Sequence, residues 1–198
     1  MNYRSITKVN EDWWTSWTAD HARELAGWHM DTTGEDINSF NGRNYEIALK
    51  DISGRRLTQA LLNYRGESAV WGEILDGADC TLSAGTLEVK VLFCGRDYFT
   101  YPNVPEEKAV TVLDRLKVDE LKGDPNAQVL YLYPDAEKHR IGWRMFKVSD
   151  ILRYGVLKTG KGKRDSFAKA PSDKELYEFP TDRSRKGEIS DRWLTGMK

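Results

Sequence analysis

Apolar residues along this 198-residue chain first recur at helical spacing and later alternate, which divides it into a helical first third and a strand-rich remainder. Between Asn10 and Met30, Trp14, Trp17, His21, Leu25 and Trp28 return every three or four residues and form one helical stripe. Exposed tryptophans could stack on unpaired bases; the plainer reading is that they pack this helix onto the body. Asp31 to Asn41 is rich in Gly, Asp, Asn, Ser and Thr and reads as a loop. A second helical region follows from Gly42 to Tyr64, with a break expected near Ser53 and Gly54 and a stop at Gly66.

From Ser68 the period shortens. Val70, Ile74 and Leu75 lead into a turn at Asp76-Gly77, and Asp79 to Leu82 is followed by the turn Ser83-Ala84-Gly85. Thr86 to Phe93 is the cleanest strand, with Leu87, Val89, Val91 and Phe93 on one face and Glu88, Lys90 and Leu92 on the other. Val110-Thr111-Val112 fits either a strand or the middle of a helix begun at Pro105. Asp114 to Lys122 reads as helix, Val129 to Tyr133 as a buried strand, and Ile141 to Val148 as another strand. Ser149 or Asp150 is then placed to cap a short helix over Ile151 to Tyr154. Tyr177 to Phe179 is a candidate terminal strand.

The length and 39% hydrophobic content suit one domain with one substantial core. Its expected core spans residues 42–154, with a Trp-rich helical extension over 1–41 and a basic segment over 155–198. Net charge is −1, but it is uneven: Ile151 to Lys198 holds 12 Lys/Arg against 7 Asp/Glu, leaving 18 against 24 before it. Lys158, Lys161, Lys163, Arg164 and Lys169 cluster among glycines, where a flexible basic segment would either neutralise DNA phosphates or simply stay solvated. Two cysteines, no signal-peptide pattern and no run long enough for a membrane span point to a cytoplasmic protein with free thiols and no membrane partner. Gly155 to Lys161 has phosphate-loop spacing, yet Gly162 stands where Ser or Thr is required, so no nucleotide cofactor is expected.

The chemistry concentrates in Asp79, Glu88 and Lys90: an acid before a tight turn, then an acid and a lysine on one face of the next strand. Phosphodiester hydrolysis calls for that set, because hard oxygen ligands hold Mg²⁺ or Mn²⁺ and a lysine can orient the attacking water. The alternative is a surface ion pair on an incidental charged face. Asp76 competes for the role of Asp79, although a turn alone explains an Asp before Gly77.

Ala78-Asp79 followed by Glu88-Val89-Lys90 resembles the PD-(D/E)xK nuclease superfamily, with Ala78 in place of the proline. The element order from Gly42 to Asp150 resembles that superfamily too, and Tyr101-Pro102-Asn103-Val104 is similar to its small phage and bacterial members. The resemblance implies a restriction-endonuclease-like α/β fold, a central mixed sheet flanked by helices, and a Mg²⁺-dependent deoxyribonuclease in which Asp79 and Glu88 bind metal. It implies a further glutamate ligand, matched to Glu46, with Glu73 as the alternative third carboxylate, and DNA as partner. By analogy it implies a homodimer. One rival is a catalytically inactive nuclease-fold protein that binds DNA or a protein, such as a phage-encoded inhibitor of a host system; another is an unrelated α/β interaction protein.

Overall fold

The computed structural model describes residues 3–74, 77–93, 106–161 and 173–190. The tryptophan stripe folds as two helices, α1 (Tyr3–Asp20) and α2 (Ala22–Thr33), rather than one. The turn between them falls at His21, whose Nδ1 lies 2.9 Å from the Trp17 carbonyl. Trp14 and Trp17 are buried and in ring contact, so the stripe packs as core. Asn10 ties α1 to the body, donating to the Phe93 carbonyl and accepting the Ala136 N–H.

Helix α3 (Arg43–Tyr64) runs unbroken through Ser53 and Gly54, against expectation. Gly54 is required there for approach rather than for bending: a Cβ on it would stand 2.7 Å from Val91 Cγ2. The glycine lets the helix axis settle directly onto the sheet.

Strands β1 (Ala69–Trp71), β2 (Cys80–Leu82) and β3 (Gly85–Val91) form an antiparallel meander. The ambiguous Val110 segment is a strand, β4 (Val110–Asp114), and Asp114 caps α4 (Arg115–Leu121) by accepting the Leu116 N–H at 3.0 Å. After α4 the chain enters β5 (Gln128–Asp135), parallel to β3, then turns into β6 (Arg140–Lys147). Helix α5 (Val148–Tyr154) starts earlier than the sequence suggests, with Lys147 at its cap position, so Ser149 and Asp150 lie inside its first turn.

The basic C-terminal segment is more structured than its composition implies. β7 (Val156–Lys161) pairs with β8 (Asp173–Pro180), and β9 (Arg185–Ser190) joins the central sheet beside β6. The expected Tyr177–Phe179 strand is thus the end of a longer one. The architecture is a mixed α/β fold: a six-stranded sheet in the order β1-β2-β3-β5-β6-β9, helices packed on it, and a second sheet ordered β4-β8-β7.

Alternation along β3 and β5 separates two cores. One face carries Leu87, Val89, Leu130 and Leu132 against α1, α2 and α3; the other carries Val129, Tyr131 and Tyr133 against β4, α4, α5 and β8. Each fully buried leucine contributes about 1.5–3 kcal/mol through removal from water. Buried His29 is a strut: its Nε2 meets Glu35 Oε2 at 2.8 Å, and that oxygen also accepts the Ile74 N–H at 2.9 Å. Among the described residues, no helix is long and apolar enough to cross a membrane.

Candidate active site

The site arises where two unequal strands part. β2 has three residues and β3 seven, so their ladder ends at the Cys80–Leu87 pair. Beyond Leu87, a buried N–H on that edge of β3 needs another acceptor. The N–H of Val89 donates to Asp79 Oδ2 at 2.6 Å. That bond draws the acid before β2 against the peptide between Glu88 and Lys90. Asp79 is 7% exposed and Glu88 2%.

Glu88 and Lys90 share the face the alternation predicts, and Lys90 Nζ donates to Glu88 Oε1 in a close contact. Lys117 of α4 approaches the same oxygen at 3.4 Å, while also meeting Glu120 Oε2 at 2.7 Å and the Gly77 carbonyl at 3.0 Å. Glu88 Oε2 is buried and has no hydrogen-bond partner among the described residues. An orphaned carboxylate oxygen in a dry site costs free energy and marks a place where a water or ion belongs.

From the opposite side, α3 contributes Arg55 and, one turn earlier, Asp51. The Arg55 side chain is 3% exposed, and its guanidinium bridges the two acids: Nη2 donates to Asp79 Oδ1 at 2.7 Å and Nε lies 2.8 Å from Asp51 Oδ2. The carbonyls of Gly72 and Glu73 accept from the same group. Three carboxylates, Asp51, Asp79 and Glu88, thus face three cations, Arg55, Lys90 and Lys117.

Burial first, and crowding of like charge second, show in the titration of the acids in this site. Asp51 is pushed up to about 7, first by loss of water and then by Asp79, with Arg55 and Lys90 opposing. Glu88 is raised by burial and then by Asp79, against Lys90 and Lys117. Lys117 is raised although burial alone would lower it, because Glu88 and Glu120 outweigh that effect. The free thiol of Cys80, buried next to Asp79, is pushed up to about 12 by burial first, which makes it a poor nucleophile.

The structure therefore brings together Asp79, Glu88 and Lys90. Glu46 lies exposed in the first turn of α3, five residues before the α3 acid that does meet the cluster, Asp51. Glu73 has an exposed side chain and takes part through its carbonyl. Lys158 is on β7 and paired with Glu178 at 2.6 Å, and Lys161 ends that strand. Lys163, Arg164, Lys169, Asp76, Cys94 and the Tyr101–Val104 stretch lie outside the described residues. Asp51, Arg55 and Lys117 are absent from the sequence reading. Arg55 had a signal, a charge four residues after an acid in a helix segment flanked by Ile52, Leu57 and Leu61, whereas Lys117 had none.

The donor chemistry suits a divalent cation: oxygen ligands, mutual repulsion among acids, and one buried oxygen unpartnered. As the side chains lie, no three His, Cys, Asp or Glu side chains among the described residues are gathered tightly enough to hold a metal ion.

No protein-family model matches the chain, and no curated protein does. Among solved structures it is similar to Hjc of Archaeoglobus fulgidus, a Holliday junction resolvase from an archaeal hyperthermophile. The TM-score is 0.37 and the identity 15%, over 74% of this chain and 88% of that one. At that level the likeness assigns no role to any residue here.

Proposed function

We propose that this chain is a metal-dependent DNA nuclease whose site is built on Asp79, Glu88 and Lys90, with Asp51 as the third carboxylate. The observation that carries the reading is the bond from the Val89 N–H to Asp79, which fixes the first acid beside the Glu-x-Lys strand that the PD-(D/E)xK resemblance singles out. The orphaned Glu88 Oε2 adds to it.

Glu88, Asp79 and Asp51 would hold Mg²⁺ or Mn²⁺. Bound there, the ion would neutralise the scissile phosphate and acidify a water. Lys90 is positioned by Glu88, and its side chain is 38% exposed. It can therefore face solvent and substrate while Glu88 stays buried, and its task is to orient the attacking water and to offset developing charge on the phosphate. Lys117 holds Glu88 from the α4 side and steadies its rotamer. Asp79, held by the Val89 N–H, is the fixed anchor of the site.

One observation favours a second reading, a nuclease-fold protein that binds DNA or a protein without cutting: the three acids are already balanced by three cations. Incubation with supercoiled, linear, single-stranded and branched DNA in Mg²⁺ or Mn²⁺ separates the two. The nuclease reading expects cleavage of at least one form, abolished by a chelator. Binding without cleavage of any form supports the second.

A further inference from the structure

The charge balance of the site raises a question that the nuclease reading leaves open: how a dication enters a cluster that already has its cations. We infer that Arg55 is a built-in competitor of the metal, seated between Asp51 and Asp79 in the metal-free protein, and that metal binding requires its guanidinium to release Asp79. The inference rests on the reading of this site as a metal site.

Three observations carry it. First, Arg55 bridges the two acids directly, at 2.7 Å to Asp79 Oδ1 and 2.8 Å to Asp51 Oδ2, so the space between them belongs to its guanidinium. A Mg²⁺ ion needs ligands at about 2.1 Å, and these two carboxylates cannot converge on one ion while a planar cation separates them. This accounts for two acids that share one guanidinium yet are not gathered as a metal site among the described residues. Second, Asp79 Oδ2 is committed to the Val89 N–H, which leaves Oδ1, the oxygen that Arg55 holds, as the more open ligand. An ion bound there would stand next to a buried guanidinium, and like charges in a dry site repel strongly. Third, Glu88 Oε2 is buried and without a hydrogen-bond partner among the described residues, an oxygen free to take up an ion.

The three cations differ in how they can yield. Lys90 is partly exposed and can swing out toward solvent, whereas the Arg55 side chain is 3% exposed and always charged, so it must shift within the site. The fold supplies somewhere to go. The carbonyls of Gly72 and Glu73, on the link after β1, already accept from Nη1 and Nη2, so the guanidinium can let go of Asp79 and remain hydrogen-bonded. Metal affinity is accordingly set by the difference between two cations competing for one carboxylate, and the wild-type site is tuned to be weak.

The direct test is Mn²⁺ binding by calorimetry to the full chain, comparing wild type, Arg55→Gln, and each with Asp79→Asn added. Competition predicts that Arg55→Gln binds Mn²⁺ at least about tenfold more tightly than wild type, and that Asp79→Asn removes the gain. Equal or weaker binding by a folded Arg55→Gln overturns the competition and leaves the metal site standing. Absence of Mn²⁺ binding in both proteins overturns the competition and the metal reading together. Should Arg55→Gln fail to fold, the wild type decides: the buried Arg55 guanidinium N–H resonances must shift on Mg²⁺ titration. Resonances unmoved at saturating Mg²⁺ overturn the inference.

Discussion

Asp79 accepts the backbone N–H of Val89 at 2.6 Å, so the acid that ends one loop is bonded to the peptide linking Glu88 to Lys90 on the next strand. Its other oxygen takes Arg55 at 2.7 Å. Asp79 thus joins three parts of the chain: the β1–β2 link, β3 and α3. Chemistry and stability meet in this one carboxylate.

Asp79→Ala takes from a buried arginine one of its two acids, leaving Asp51, and leaves a buried N–H without its acceptor. Removing one partner of such a pair costs about 3–5 kcal/mol, and Asp79→Asn, which keeps an oxygen acceptor, should cost less. Urea unfolding measures both. A loss for Asp79→Ala below about 1 kcal/mol, the range of exposed ion pairs, would show that the clamp is not structural.

Stability should depend on pH through Asp51. Its folded pKa, about 7, stands above the ordinary aspartate value, so the folded state holds a proton that the unfolded state has released. The contribution is fully present below about pH 4 and is lost as pH rises to about 7. Asp51→Asn removes it. The difference in urea midpoint between wild type and Asp51→Asn should therefore shift in favour of the variant between pH 5 and pH 8. A difference that stays constant over that range contradicts the raised pKa of Asp51, set first by burial and then by Asp79.

Gly54→Ala sets helix propensity against packing. In an exposed helix the change would stabilise by about 1 kcal/mol, but here the new Cβ would meet Val91 Cγ2 at 2.7 Å. Overpacking of this kind costs about 1–3 kcal/mol, so the variant should be less stable, and Val91→Ala in the same chain should recover part of the loss. A Gly54→Ala protein more stable than wild type would mean that α3 does not sit this close to the sheet.

Much of this arrangement was legible in the sequence. The two-residue period of Leu87 to Phe93 places Glu88 and Lys90 on the face opposite Leu87 and Val89, as strand geometry requires, and the structure buries both faces. Helix α3 was legible in extent but not in continuity, since Ser53-Gly54 carries the same local signal whether a helix breaks or approaches a sheet. The strands of the basic C-terminal segment are not legible in its sequence, because β7 has few apolar residues and its partner β8 lies a dozen residues on. Asp51, Arg55 and Lys117 reach Asp79 and Glu88 from helices distant in sequence, and no local pattern records such a meeting.

Lys90→Ala tests the central claim most directly. Lys90 is not among the groups expected to hold the ion, so the variant should bind Mn²⁺ at least as well as wild type while DNA cleavage in Mg²⁺ falls by two orders of magnitude or more, the usual weight of a group that assists proton transfer or charge development (~10²–10⁴-fold). Cleavage at the wild-type rate by Lys90→Ala, under conditions where a chelator stops both proteins, would contradict the account.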